Sequence, residues 1–457
     1  MGAVEVLAWI DAATREVTLF AAAGFLIGGV DDLLIDLVWL VRRLVHGSDA
    51  PVLDELTSPA VPHRFAILVP AWDESAVIGA MLRATLARLD HPDFCILVGC
   101  YPNDSATIGE VAAVAAQDSR VTLVVGDRPG PTTKADCLNT LWRALGRSGA
   151  PVDAIVLHDA EDVVHPAELR LFDALIDTHA AVQIPVLPLP RPESPLVAGH
   201  YIDEFAEAHG KSLVVRTALK AGLPFAGVGC AIRRDALAAI TTDHGAPFDA
   251  GSLVEDYELG LRLAAAGHAA HFARVREHAG GAVISVREYF PSTIGAAVRQ
   301  KARWMTGIAL AGWDRLGWGR MRDLGDHWMR VRDRRATLAV IVLAAGYAAL
   351  LGWAVSATGH ALTHSPLPNP GAPLATILTI NLALLLWRAA WRIGFTAHNY
   401  GWREARWAPL RMIAGNLIAL LAARRAAIRY AALLAGRAPQ WDKTAHAFPA
   451  SLGGTGR

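Results

Sequence analysis

The chain has 457 residues, enough for two or three domains, with 43 basic and 43 acidic side chains. A formal net charge of zero gives no bulk attraction to polyanions, which argues against a nucleic-acid partner. Apolar residues make up 53%, high for a soluble enzyme, and the excess is concentrated in a few segments.

The first of these is VTLFAAAGFLIGGVDDLLIDLVWLVRRL, 17–44. Its uncharged part, 17–30, is too short to span a bilayer alone. Asp32 and Asp36 are one helical turn apart, on or beside the face of Asp31. The pattern predicts one long helix, its first half in the bilayer and its acidic stripe against protein or the membrane–water boundary. No basic start precedes it and no small-residue cleavage site follows, so it reads as retained, not as a cleaved leader.

From residue 64 short apolar runs alternate with helical patterns. Strands are predicted at 64–70, 94–100, 121–125, 154–158 and 181–187, with helices at 76–89, 105–117, 134–146 and 166–178. This alternation means βαβ units and a mostly parallel sheet. A long helix follows at 199–221, a glycine-rich strand at 225–234, a helix at 253–266, and a polar helix through AAVRQKARWMTGIAL. There is no internal repeat and no low-complexity tract.

Residues 336–387 contain no Asp, Glu, Lys or Arg. THSPLPNPGAP divides this stretch into apolar blocks at 336–358 and 373–391, each close to the roughly 20 helical residues that cross hydrocarbon. A shorter patch, 410–423, runs into Arg424, Arg425 and Arg429 and reads as an interfacial amphipathic helix. The expected division is 1–46 membrane or interfacial helix, 47–335 catalytic domain, 336–393 two transmembrane helices, and 394–457 interfacial helix and tail. Arginines crowd at 42–43, 320–335 and 388–406, while the loop 359–372 has none. The positive-inside rule then places 46–335 in the cytoplasm, on a multi-pass chain in a bacterial inner membrane. Cys95, Cys100, Cys137 and Cys230 form no CxxC pair and read as small core residues.

An open parallel sheet binds ligands beyond the carboxyl ends of its strands. Three such ends carry acids: Asp73 and Glu74 in PAWDE, Asp104 in YPND, and Asp159, Glu161 and Asp162 in HDAED. Carboxylates this close repel one another, and a divalent cation, Mg²⁺ or Mn²⁺, relieves them. Asp159 and Glu161 alternate on an extended segment and can turn toward one ion. The competing reading is that Glu161 or Asp162 simply caps the following helix.

VPAWDES, PND, KADCLN, HDAED, GVGCAIRR, LVEDYELGLRL and QKARW occur in that order. As an ordered set they resemble the motifs of membrane-embedded family 2 glycosyltransferases, the group that includes cellulose and hyaluronan synthases. YPNDSAT, LHDAEDVVHP, VREYFP and QWDKTAH resemble that family's phage-adsorption protein B branch. The likeness covers roughly residues 20–450. It implies an α/β GT-A fold, a Rossmann-like and mostly parallel sheet flanked by transmembrane helices, a UDP-sugar donor, a divalent metal and inversion at the anomeric carbon.

By motif, Glu74 and Asp104 match the acids that hold the nucleoside, and Asp159 and Glu161 match the metal-binding D-x-D. Here that motif reads D-A-E-D, which leaves the second ligand open between Glu161 and Asp162. Asp256 matches the catalytic base of T-E-D, whose threonine is Val254 here. At a helix start its charged form is favoured. Gln300, Arg303 and Trp304 match Q-x-x-R-W; Gln300 and Arg303 share a helix face. Two readings stand for Trp304, stacking on an acceptor sugar or anchoring at the membrane interface. GDRPGPTTKAD misses the spacing of a phosphate loop, which leaves Lys134 as a diphosphate contact or a surface lysine. Gly227 and Gly229 either let backbone approach the acceptor or mark a strand bulge. Larger relatives carry a further C-terminal domain linked to cyclic-dinucleotide control; this sequence contains no counterpart, so that control would need a separate subunit.

The expectation is therefore a transferase extending an envelope polysaccharide from a UDP-sugar, with a saccharide acceptor, the lipid bilayer and an outer-envelope export partner. The alternatives are transfer of one sugar to a lipid carrier, or a non-catalytic scaffold for phage adsorption. A transporter is disfavoured, since the spans hold no buried charge pair beyond the acidic stripe.

Overall fold

The computed structural model describes residues 3–47, 50–242, 245–437 and 446–453. Of QWDKTAH, only His446 is among the described residues; 438–445 lie outside them.

After helix α1, Ala3–His46, the chain alternates β1 Phe65–Pro70, α2 Ile78–Arg88, β2 Phe94–Cys100, α3 Ser105–Ala115, β3 Val121–Val125, α4 Lys134–Ser148, β4 Ala154–Leu157, α5 Glu168–Leu175 and β5 Ala181–Gln183. Every residue of β1 is buried, because both sheet faces are covered. Its side chains alternate between two cores: Phe65, Ile67 and Val69 enter one, Ala66 and Leu68 the other.

The chain continues through α6 Gly199–Glu207, α7 Leu213–Ala218, β6 Cys230–Arg233, α8 Arg234–Ala239, α9 Glu255–Ala265, β7 Ala270–Phe272 and α10 Ile294–Trp304. One seven-stranded sheet results, in the order β3-β2-β1-β4-β6-β5-β7. It is mostly parallel; only the pairs that β6 makes with β4 and β5 are antiparallel.

The predicted helix 199–221 is broken. A π-helical segment, Ala208–Ser212, separates α6 from α7. Its cause is tertiary: Gly210 lies under Phe395, its carbonyl accepts from Trp39 Nε1 at 3.0 Å, and Lys211 pairs with Asp36 at 2.5 Å. The strand expected at 225–234 starts only at Cys230, because Gly227 and Gly229 adopt positive φ (81° and 59°) and turn the chain. β5 likewise ends at Gln183, and Val186 joins Val286 through an isolated bridge.

His209, in the π-helical segment, accepts the Val186 amide at Nδ1 (2.8 Å), and burial pushes its pKa down to about 3. Its folded pKa lies below the ordinary 6.5, so between these values the unfolded chain holds the extra proton. Stability is therefore lost as pH falls below 6.5, by about 1.4 kcal/mol per pH unit for this side chain. Thermal midpoints between pH 7.5 and 5 should fall steeply in the wild type and less steeply in His209→Gln.

A second π-helical segment, Met305–Ala311, follows α10, then α11 Gly312–Leu316 and α12 Leu324–Arg334. Among the described residues, α13 Ala336–Leu362 and α14 Ala372–Tyr400 are long and apolar enough to cross a membrane, and few of their residues are fully buried. α1 packs along both. Gly346 lies under Phe25, Gly352 under Thr14 and Gly359 under Leu7, so small residues let the helices close in. Trp353 Nε1 reaches Thr18 Oγ1 at 2.9 Å, and Asn381 Nδ2 reaches the Ala22 carbonyl at 2.8 Å.

The acidic stripe of α1 faces protein. Asp31 pairs with Arg332 and Arg335; Asp32 pairs with Arg332, Arg335 and Arg388; Asp36 takes Lys211 and Trp387 Nε1. After α15, Trp402–Ala405, the patch at 410–423 lies within α16, Ala408–Leu434, longer than expected. Ala422 and Ala426 of α16 pack on Ala302 of α10. All four cysteines are free.

Candidate active site

The carboxyl ends of β1, β2 and β4 converge. Beyond β1, Asp73 sits at φ 53° and donates its amide to Asp104 Oδ2 (2.6 Å). Asp104 also caps α3 through the Thr107 amide at 3.2 Å. Glu74 is buried, with Oε1 2.8 Å from His446 Nδ1. Beyond β2, Asn103 exchanges two hydrogen bonds with Gly130 (2.7 and 2.8 Å), and Tyr101 Oη meets Thr132 at 2.8 Å. These contacts tie the GDRPGP loop to the rim.

At the end of β4, the three acids divide their work. Fully buried His158 lies between Asp162 and Glu168, 2.7 Å from each, and Asp162 also accepts the Asp159 amide at 3.0 Å. Asp162 is thereby engaged in the interior. Glu161 turns the other way, its Oε1 3.2 Å from His446 Nε2. Asp159 is more exposed, and its Oδ1 lies 2.6 Å from Lys134 Nζ.

Lys134, the first residue of α4, stands 3.9 Å from Glu255. Asp256, on the first turn of α9, accepts its neighbouring Tyr257 amide at 2.7 Å. The positive φ of Gly227 brings backbone under these groups; a Cβ there would lie 2.6 Å from Asp256 Oδ2 and 3.2 Å from Lys134 Nζ. Lys134, Asp159, Asp256 and Gly227 thus form one contiguous wall.

Gly229 does not join it. A Cβ at Gly229 would strike Val286 and Ile184, and its amide binds the Leu157 carbonyl, so its role is strand packing. Trp304 packs on Tyr201 and Phe205, with ring centroids at 6.1 and 6.3 Å. Arg303 acts electrostatically on Glu255 and Asp256. Arg303 Nε and Gln300 Oε1 are both buried without a hydrogen-bond partner among the described residues.

Burial raises Glu161 to about 8 and Glu255 to about 7, and it raises Asp256 too, against the pull of Lys134. The helix start is expected to favour a charged Asp256; desolvation opposes this, while Lys134 and Arg303 pull the pKa back down. Burial opposes charge on His446, but Glu161 and Glu74 outweigh it and raise its pKa to about 9. Glu288, in VREYFP, is raised well above its ordinary value by burial and by Asp162, Glu161 and Asp159.

Glu74, Glu161 and His446 bring ligand atoms within 4.8 Å of one another, with Asp159 beside them. This oxygen-rich donor set, carrying more carboxylate than its cations neutralise, fits a divalent ion. Sequence reasoning gave no role to His446, Glu288, His158 or Glu168. Two of them lie in stretches noted for likeness alone, VREYFP and QWDKTAH.

A family described as "Glycosyltransferase like family 2" matches residues 62–307. Two Escherichia coli proteins, Bacteriophage adsorption protein B of strain K12 and Bacteriophage N4 adsorption protein B of O157:H7, are each 36% identical over 472 residues. The match covers 96% of this chain, which spans 63% of the length of those curated relatives. Among solved structures, a mannosyltransferase from Pyrobaculum calidifontis, described in complex with GDP-Man and Mn²⁺, aligns with a TM-score of 0.54 at 18% identity. It covers 88% of this chain and 99% of its own, a likeness of fold.

Proposed function

Because this chain belongs to the family 2 glycosyltransferases, we propose that it transfers a hexosyl or N-acetylhexosaminyl group from a UDP-sugar with inversion, extending an envelope polysaccharide. The observation that carries this reading is the wall of Lys134, Asp159 and Asp256 over Gly227, at the carboxyl end of a parallel sheet.

Asp256 takes the proton of the acceptor hydroxyl as its oxygen bonds to the anomeric carbon. The bond from that carbon to the diphosphate oxygen breaks on the opposite face, and its electrons leave with UDP. Lys134 and Arg303 face the negative charge that builds on the diphosphate. Asp104 and the loop it borders receive the nucleoside. A bound Mg²⁺ or Mn²⁺ supplies Lewis-acid stabilisation of the same leaving group, and Asp159 and Glu161 would hold it, with Glu74 and His446 adjacent. Gln300 and the backbone at Gly227 border the acceptor side. The length and apolar composition of α13 and α14 support reading both as membrane spans, and the arginine-rich flanks support a catalytic domain on the cytoplasmic side.

Purified protein with Mn²⁺ and UDP-glucose, UDP-N-acetylglucosamine or UDP-N-acetylmannosamine should release UDP from one of them. GDP-mannose belongs in the same screen, given the ligand of the Pyrobaculum calidifontis enzyme. Release from none of the four, with Mg²⁺ or Mn²⁺, contradicts the proposal. The acids of D-A-E-D should separate in a second measurement. Glu161→Gln lowers Mn²⁺ affinity by about tenfold or more, read by titration with UDP present, and leaves the unfolding midpoint near wild type. Asp162→Asn lowers the midpoint, because it removes one of the two buried negative charges that hold His158 protonated.

A further inference from the structure

We propose that arginines from α1 and from the segment after β7, meeting at the end of α14, form a binding site for a phosphate-bearing anion. Arg42 and Arg43 lie at the exposed end of α1; Arg274 and Arg276, half-buried, follow β7; His398 and Asn399 are on the last turn of α14.

Several contacts bring these segments together. Trp39 packs edge-on against Trp391 and Phe395 of α14, at 5.3 and 5.5 Å, and Arg43 stacks over Trp39 at 5.0 Å. Arg274 and Asn399 line one narrow cleft. Backbone bonds from Leu53 to Arg276 (2.8 Å) and from Arg276 to Pro51 (2.8 Å) fix the second arginine. Arg274 lies in electrostatic range of Arg276 and Arg43, and His398 of all three, and these neighbours are cations alone.

The contrast within α1 supplies the argument. Six to twelve residues earlier, Asp31, Asp32 and Asp36 are each neutralised by Arg or Lys from other elements. Among the described residues, no acid lies within ion-pair distance of Arg42, Arg43, Arg274 or Arg276. Repulsion among like charges held half-buried is relieved by an anion from outside the chain. Guanidinium groups match the oxygens of a phosphate in charge and in fork geometry.

Two sources offer that group. A lipid headgroup is one, which rests on the reading that α13 and α14 cross the bilayer; free phosphate is the other. The full chain in detergent, titrated with phosphatidylglycerol or phosphatidylcholine and read by native mass spectrometry, tests the first. Inorganic phosphate against equal chloride, read by the thermal midpoint, tests the second. The expected result is preferential retention of phosphatidylglycerol, weakened roughly 30-fold in Arg274→Gln/Arg276→Gln, at about 1 kcal/mol for each basic residue. Arg147→Gln, exposed on α4, should change nothing. Stabilisation by inorganic phosphate that the double variant loses supports the site with a soluble anion as its ligand. Equal behaviour of wild type and double variant in both arms overturns the proposal. Loss of the chain from phosphatidylcholine vesicles on alkaline washing contradicts the spanning reading instead, and leaves the phosphate arm to decide.

Discussion

Asp256→Asn removes UDP release while Mn²⁺ and UDP still bind. The expected loss is about 10²–10⁴-fold in turnover, the range for a positioned proton acceptor. Asparagine keeps the side chain's shape and can still accept the Tyr257 amide, so the local structure has little reason to move. What disappears is the anionic oxygen above Gly227, beside Lys134. Glu255 lies next in sequence and is itself raised to about 7 by burial, so Glu255→Gln is the informative companion. If Asp256 is the base, Glu255→Gln reduces turnover far less. Single-turnover UDP release with donor and acceptor measures both, and an Asp256→Asn rate equal to wild type sinks the mechanism.

Arg411→Ala should cost about 3–5 kcal/mol, the range for removing one member of a buried ion pair. Arg411, on α16, is 1% exposed. Its guanidinium bonds Asp203 of α6 (3.1 Å), Glu404 of α15 (2.5 Å) and the Pro195 carbonyl (2.7 Å). Asp203 also accepts Thr396 Oγ1 of α14 at 3.0 Å, and burial already raises its pKa to about 6. One side chain therefore joins three helices directly and a fourth through Asp203, and its loss strands two carboxylates. Gly199 closes the site from below; a Cβ there would lie 2.3 Å from Arg411 Nε. Unfolding in detergent by heat or denaturant checks the prediction. The pair Arg411→Met/Asp203→Leu should recover part of the loss, since no unpaired charge remains at Asp203.

The strands of the catalytic sheet were legible because they are short, apolar and buried on both faces, as FAILVP and FCILVGC are. The acids at their ends were legible because topology alone puts strand termini on one rim. The choice between Glu161 and Asp162 was not. It depends on His158 finding Glu168 ten residues on, and sequence does not tell an imidazole which carboxylate it will meet. His446 reaches Glu74 across 372 positions, a distance over which spacing carries no information. The helix predicted at 199–221 failed for a similar reason: Trp39, Phe395 and Asp36, from elsewhere in the chain, hold the π-helical turn. Gly227 and Gly229 look alike in GVGC, yet one underlies Asp256 and the other packs on Val286. Only the neighbours distinguish them.

The aspartates of α1 make the long apolar helices and the part that carries the sheet a single cooperative piece. Arg332 and Arg335 lie on the link into α13, Arg388 on α14 and Lys211 in the catalytic domain, and all take their counter-charge from the first helix. Cutting the chain after residue 46 would not yield an independent module. It would strip Arg332, Arg335 and Arg388 of the carboxylates they pair with and leave Lys211 to Glu207, so grafting this domain elsewhere requires transplanting the acids with it.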